Sequence, residues 1–368
     1  MDFNIILEPI SDIYRNKKVI ITGHTGFKGS WLSLWLSILG AEVYGISNGI
    51  PTSPSNYESS SISDIVNDIR VDIRDFNKLN NYIKKIQPDF IFHLAAQPIV
   101  NYSFENPLET WQINSLGTVN ILESIRLNLK KCIAIFITSD KVYDNQEWSW
   151  GYRENDKLGG ADPYSSSKAG AELSISSYFR SYFKNSSDIR ICSVRAGNVI
   201  GGGDWAENRI VPDCIRSWLG NKAVFLRNPK STRPWQHVLE PLSGYLTVAA
   251  LLENNPSLNG ETYNFGPTSE QNKSVEELVE GLSKFFPKAN YKINNDNSHN
   301  HLESKLLKLN CDKAQNDLCW APTLDFHQTL DLTASWYKFY SSNHNETREI
   351  TLDQINFFSK INKSNLFK

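Results

Sequence analysis

The feature that most constrains the fold is an alternation running through the first half of the chain. Short β-rich apolar runs recur along it: KKVIIT (17–22), EVYGIS (42–47), VNDIRVDIRD (66–75), DFIFHLAA (89–96), CIAIFITS (132–139) and DIRICSVRAGNVI (188–200). Between them lie FKGSWLSLWLSILG (27–40), a segment around 76–86, the long segment 107–129 and DPYSSSKAGAELSISSYFRSYF (162–183), all of helical pattern. Adjacent parallel strands need crossovers of a dozen or more residues, and a helix is the usual one. The pattern predicts an α/β fold, with a parallel sheet covered on both faces and right-handed connections.

Such a sheet is doubly wound, of Rossmann type. After residue 200 the alternation breaks into prolines, tryptophans and shorter elements. We expect residues 1–197 to form a dinucleotide-binding domain. Residues 198–368 should form a smaller C-terminal substrate-binding domain, interleaved with returns to the sheet. The polar stretch Asn48–Ser63 reads as a surface loop, and the last 25 or so residues as a short helix or a tail. No internal repeat is visible.

Composition narrows the classes of function. The 38 Lys+Arg nearly cancel the 40 Asp+Glu, leaving a net charge of −2, so no basic field exists to hold a nucleic acid. No run approaches the roughly 20 apolar residues of a membrane span. The opening MDFNIILEPI lacks the basic stretch of a signal peptide. The five cysteines are scattered without a C-x-x-C pair, which argues against a disulfide framework or a zinc site. These points together predict a reducing, cytoplasmic setting and no bound metal.

Gly23, Thr25, Gly26, Phe27, Lys28 and Gly29 close the first strand and open the first helix, with G-x-x-G-x-x-G spacing. Glycines there allow a tight turn and let a pyrophosphate approach backbone N–H groups at a helix N-terminus. The second strand ends in Ser47-Asn48, where an acid for the adenosine ribose is usual. No arginine stands beside them in sequence to favour a 2′-phosphate, so NAD is expected over NADP. Asp72, with Ile73, is placed to meet the adenine. His93 in FIFHLAA reads as a satisfied buried histidine.

Tyr164 and Lys168 lie four apart on a helix and share a face. A neighbouring ammonium lowers a phenol's pKa and lets it act as a base. With 15 tyrosines, roughly one Tyr-x3-Lys match arises by chance, and Tyr14–Lys18, ahead of the first strand, is assigned to it. The second copy follows a strand ending in Thr138-Ser139-Asp140-Lys141. Chemistry in open α/β sheets gathers at the carboxyl ends of strands. A hydroxyl, an acid and an amine meeting there point to catalysis.

The glycine turn, the LAAQP run (94–98), the hydroxyl residues before the tyrosine and the Tyr-x3-Lys pair resemble the extended short-chain dehydrogenase/reductases, the NAD-dependent epimerase/dehydratase family. GHTGFKGSWLSLWL, ITSDKVYDN, WGYRE, DPYSSSKAGAEL, VRAGNVIGGGDW, RIVPD and RPWQHVLEPLSGYL carry the likeness from residue 23 to about 246. More narrowly, Asp140-Lys141 resembles the CDP-glucose branch of the sugar-nucleotide 4,6-dehydratases, since the dTDP- and GDP-sugar branches have Asp-Glu there.

The resemblance implies a lyase that converts a nucleotide-activated hexose, CDP-glucose first among them, to its 4-keto-6-deoxy form, with hydride passing from carbon 4 to carbon 6 by way of NAD. Tyr164 would take the proton of the 4-hydroxyl, with Ser139 bonded to that hydroxyl or to Tyr164. Asp140, with a raised pKa, suits the acid that protonates the leaving 6-hydroxyl. Lys141 is either the base at carbon 5 or a charge that stabilises the enolate. Leu94, Ala95, Ala96, Gln97, Thr138 and Lys168 would line the cofactor. Asn198 would face the substrate, with Arg209 and Arg233 as candidates for the diphosphate. GGGDW (201–205) is either a backbone approach to the nucleotide or a simple turn.

Relatives commonly pair through helices equivalent to 107–129 and 162–183, whose Ile121, Ile125, Leu173 and Ile175 suggest more than one apolar face. A homodimer or higher homo-oligomer is expected. Rival readings are a dehydratase or epimerase for another sugar nucleotide, a dehydrogenase that releases NADH, and a non-catalytic NAD-binding relative. A bacterial surface glycan such as O-antigen would be the destination of the deoxysugar.

Overall fold

The computed structural model describes residues 10–268, 271–293, 306–344 and 346–362. The N-terminal stretch before Ile10 and the last six residues lie outside them. Seven strands form one wholly parallel sheet: β1 (Lys18–Thr22), β2 (Glu42–Ser47), β3 (Asn67–Arg70), β4 (Phe90–His93), β5 (Cys132–Ile137), β6 (Ile189–Ala196) and β7 (Thr262–Phe265). Their order is β7-β6-β5-β4-β1-β2-β3, so the strand order reverses between β1 and β4. The crevice at that reversal is where open α/β sheets bind ligands.

Strand residues alternate between two buried faces. Val19, Ile21, Phe90, Phe92, Ile133 and Ile135 enter one core with Trp31 and Trp35. Ile20, Ile91, Ala134 and Phe136 enter the other with Leu79, Ile83, Ile121 and Ile125. The first core is covered by α1 (Phe27–Ile38). The second is covered by α2 (Phe76–Ile86), α3 (Gly117–Asn128) and α4 (Pro163–Tyr178). A strand buried on both faces must be apolar at every position, which is why these runs read as continuous.

Beyond β6 come α5 (Ile210–Leu219) and three two-stranded pairings: Val199–Ile200 with Gln236–His237, Val224–Leu226 with Tyr291–Ile293, and Thr232–Pro234 with Asn272–Ser274. α6 (Leu239–Asn254) is buried from Leu239 through Leu252 and returns to the sheet ahead of β7. α7 (Phe326–Ser342) and α8 (Arg348–Ile361) complete the described chain. No described helix is long and apolar enough to cross a membrane. All five cysteines are free.

One expectation is corrected and two are borne out. Asn48–Ser63 is not a solvated loop. It carries a helical turn at Asn56–Ser59, buries Ser55, Tyr57, Ser60 and Ile62, and bonds Ser60 Oγ to Thr347 Oγ1 at 2.9 Å. Of the short helix or tail expected at the C-terminal end, the described residues form the helix: α8 buries Ile355 and Phe358, and Phe358 meets Trp35 edge-on. Ile121, Ile125 and Ile175 belong to the protein's own core while Leu173 is exposed, so apolar residues do stand on more than one face of these helices.

Candidate active site

The turn between β1 and α1 is built by steric necessity. Gly23 has φ +74°, and a Cβ there would stand 2.9 Å from the Ala95 backbone. A Cβ on Gly29 would come within 2.1 Å of the Gly23 carbonyl. The chain at Leu94–Ala96 and the start of α1 can therefore close on the turn only with glycine there. His24 points into the sheet and meets Asp68 at 3.1 Å. Thr25 Oγ1 donates to the Gly49 carbonyl (2.7 Å), which joins the turn to the end of β2.

This turn forms one end of a cleft of ≈ 1580 Å³ along the carboxyl edge of the sheet. Gly23, Thr25, Gly26, Phe27, Lys28, Gly29, Ser47, Asp72, Ile73, Leu94, Ala95, Ala96 and Thr138 all line it. So do Ser139, Asp140, Lys141, Tyr164, Lys168, Asn198, Arg209 and Arg233. The glycine cradle, open at a helix N-terminus, fits a dinucleotide pyrophosphate. Gln97 is the exception: it is buried, its Nε2 donates to Thr110 Oγ1 (3.0 Å) and its Oε1 accepts from the Ile99 N–H. Its amide shapes the loop rather than facing the cleft.

The β5 end and α4 bring the reactive groups together. Ser139 caps the turn Asp140–Val142 by accepting from the Lys141 N–H (3.2 Å), and its hydroxyl donates to Asp140 Oδ1 (3.0 Å). Lys168 Nζ donates to the Ile137 carbonyl (3.3 Å) and ties α4 to the strand end. Asp162 caps α4 by accepting from the Ser165 N–H, which fixes the helix start one residue before Tyr164. The other Tyr-x3-Lys tyrosine, Tyr14, is wholly buried and donates to the Leu246 carbonyl, far from this cleft.

Electrostatics here differ from expectation in one respect. Tyr164 is raised to about 12, because burial penalises its phenolate and Asp140 adds to that, against relief from Ser139 and Arg209. Burial lowers Lys168 to about 8, with Glu172 opposing the shift. Burial, with Arg209 and Lys168, lowers Lys28 to about 7 despite Asp140 and Asp204. Two amines in this cleft thus titrate near neutral pH. His93 is satisfied through both ring nitrogens, by Thr22 (2.8 Å) and Thr118 (3.1 Å), and burial lowers it to about 3.

At the far end of the cleft Asn198 holds φ +50°, an unusual conformation for a non-glycine residue and one found at ligand sites. Arg209 Nη1 pairs with buried Asp204 Oδ2 at 2.9 Å, which aims its guanidinium from within the GGGDW segment. Gly202 serves packing: a Cβ there would lie 1.9 Å from Trp336. Arg216 and Arg227 line the same end. Sequence reasoning passed over them, since neither belongs to a recognisable motif. It also passed over Asn114, in a π-helical turn (Gln112–Leu116), which donates to Ser167 Oγ on α4 (2.9 Å) and to the Gln97 carbonyl (3.1 Å).

A family profile described as GDP-mannose 4,6 dehydratase matches residues 20–333. The chain is 47% identical over 335 residues to CDP-glucose 4,6-dehydratase of Salmonella typhimurium, covering 89% of this chain and 92% of that one. The chain belongs to the nucleotide-sugar 4,6-dehydratase family. dTDP-glucose 4,6-dehydratase of Haemophilus influenzae is a more distant relative of this family member, 26% identical across 88% of this chain and 98% of its own. Among solved structures, dTDP-glucose 4,6-dehydratase of Bacillus anthracis in complex with NAD superimposes with a TM-score of 0.72 at 22% identity, over 89% of this chain and 98% of that one. That likeness supports the dehydratase fold.

Proposed function

We propose that this dehydratase acts on CDP-glucose, with NAD as its cofactor, and releases CDP-4-keto-6-deoxyglucose and water. The observation that carries the reading is the meeting of Ser139, Asp140, Lys141, Tyr164 and Lys168 in one cleft with the glycine turn, in a chain so similar to a CDP-glucose 4,6-dehydratase. When bound, NAD would supply the hydride acceptor for carbon 4 and the hydride donor for carbon 6, and Tyr164 and Lys168 would lie beside it. The glycine turn, Ser47, Asp72 and Leu94–Ala96 would hold it.

Tyr164 takes the proton of the sugar's 4-hydroxyl, guided by Ser139. The charged Lys168 stabilises the phenolate that this needs. The 4-ketone acidifies the proton on carbon 5, which Lys141 removes. Asp140 protonates the departing 6-hydroxyl, and carbon 5 is reprotonated from the same side chain that deprotonated it. Arg209 and Arg233 serve the diphosphate and Asn198 the sugar. We assign the cofactor to residues 1–197 and the sugar nucleotide mainly to 198–368. We further assign a homodimer through the outer face of the 107–128 helical run and α4, where Leu108, Leu116 and Leu173 are exposed. A cytoplasmic enzyme supplying a deoxysugar for a surface glycan would suit this chemistry.

The test is incubation with CDP-glucose, dTDP-glucose, GDP-mannose and UDP-glucose, followed by mass spectrometry for loss of one water and absorbance for released NADH. Water loss with CDP-glucose and no net NADH is expected. Water loss with another nucleotide alone would move the substrate, and net NADH without water loss would overturn the dehydratase.

A further inference from the structure

α4 carries a third functional side chain on the face of Tyr164 and Lys168. Glu172 lies one turn beyond Lys168 (positions i, i+4 and i+8) and is almost wholly buried. Its carboxylate is fully engaged: Oε1 accepts from Thr138 Oγ1 (2.5 Å) and Arg195 Nε (2.9 Å), and Oε2 from Ser193 Oγ (2.9 Å) and Arg195 Nη2 (3.0 Å). A bidentate, charge-assisted pair with two hydroxyl donors fixes a carboxylate in both position and ionisation. Burial disfavours this carboxylate, but Arg195, Thr138 and Ser193 outweigh it and hold Glu172 below the usual range.

Arg195 extends the tie outward. It donates to Tyr143 Oη (2.7 Å) and to the Glu154 carbonyl (3.0 Å), and Tyr143 Oη in turn donates to Asn264 Oδ1 on β7 (2.8 Å). Thr138 directly precedes Ser139 and Asp140, so one carboxylate is bonded to the strand end that carries them.

We infer that Glu172 is a positioning residue of the reaction, whose negative charge stands one turn beyond Lys168 on the same helix face and whose bond to Thr138 holds the β5 end in place. The inference rests on the assignment of Lys168 to the reaction. Lys168 has Tyr164 and Glu172 as neighbours on its own helix, Lys28 facing it from the glycine turn and neutral His93 from β4. Asp140 acts as a counter-charge to Lys28. Lys28 opposes a charge on Lys168, and Glu172 is the anion that supports it.

The experiment is a pH titration of the full chain labelled at lysine 13Cε, with the Lys168 resonance assigned by its absence in K168R. The readout does not require turnover, so failure of the dehydratase assay and failure of this inference are separate results. Expected is a midpoint near 8 in the native protein, lower by about one unit or more in Glu172→Gln and unmoved in Glu172→Asp. The double variant E172Q/R195M removes both buried charges and avoids an unpaired guanidinium, and it is expected to shift in the same direction but by less, because the opposing guanidinium charge leaves with the carboxylate. The basic limb of the kcat profile should move with it. A folded double variant with an unshifted midpoint overturns the inference, as does an E172D protein that shifts as far as E172Q.

Discussion

Asp140 is packed against the α-carbon of Gly197: a Cβ built on Gly197 would stand 1.9 Å from Asp140 Oδ2. The carboxyl at the end of β5 is therefore seated by the absence of a side chain just past the end of β6. Alanine at 197 must displace Asp140, while backbone conformation poses no obstacle, since Gly197 is not among the positive-φ glycines. Gly197→Ala is expected to lower kcat by ~10²-fold, the scale of an ångström's misplacement of a reacting group, with an unchanged far-UV spectrum. A variant with native kcat would show that Asp140 takes no part in the chemistry.

Tyr164 is buried at the point where Ser139, Asp140 and Arg209 converge electrostatically. Removing its hydroxyl leaves the ring in place and deletes the proton acceptor. Tyr164→Phe should lose ~10²–10⁴-fold in kcat, while cofactor binding, measured by calorimetry, stays within about twofold. Retained turnover would require another base for the 4-hydroxyl and would dismantle the mechanism.

The buried amines make stability depend on pH in a defined direction. Burial lowers Lys28 to about 7 and Lys168 to about 8, whereas an unfolded lysine titrates near ~10.4. Between those values the unfolded chain binds more protons, so each amine makes stability rise with pH, and its destabilising effect is greatest below its folded pKa. Lys28→Met is expected to raise the Tm at pH 7 by about 2–4 °C, with the gain shrinking toward pH 10. A gain that is constant across this range would show that Lys28 keeps its ordinary pKa in the fold.

The sheet and the gathering of polar groups at the β5 end were legible because their signals are local. Apolar strands with two buried faces, the glycine turn and Tyr164-x3-Lys168 each lie within a few residues of one another. What was misread depends on distant partners. The serines at 59–61 look solvated, but Thr347 and Arg348 bond them from almost 290 residues away. Glu172 belongs to no motif, and its partner Arg195 arrives from β6. The lowered phenol pKa expected from Lys168 gave way to burial at Tyr164, a quantity that spacing along one helix does not contain.

Cofactor choice turns on residues that the fold, not the sequence order, assembles beside Ser47. β3 brings Arg70 into register with Ser47, and Arg74 follows shortly after, so arginines do stand near the end of β2, where the ribose is proposed to lie. Arg70 is held by Asp68 (2.7 Å), and Arg74 by Asp72 (2.7 Å) and Glu109 (3.0 Å). Hydrogen bonds from Arg74, against burial and with help from Asn48, keep Asp72 below the usual carboxylate range and hence ionised. A 2′-phosphate entering here would meet that negative charge. Asp72→Asn removes the charge and releases Arg74 from one of its two carboxylates. The ratio of Kd for NADP+ to that for NAD+ is expected to fall about tenfold, equivalent to ~1.4 kcal/mol. An unchanged ratio in titrations of both nucleotides would place the ribose elsewhere in the cleft and assign Asp72 to the strand end alone.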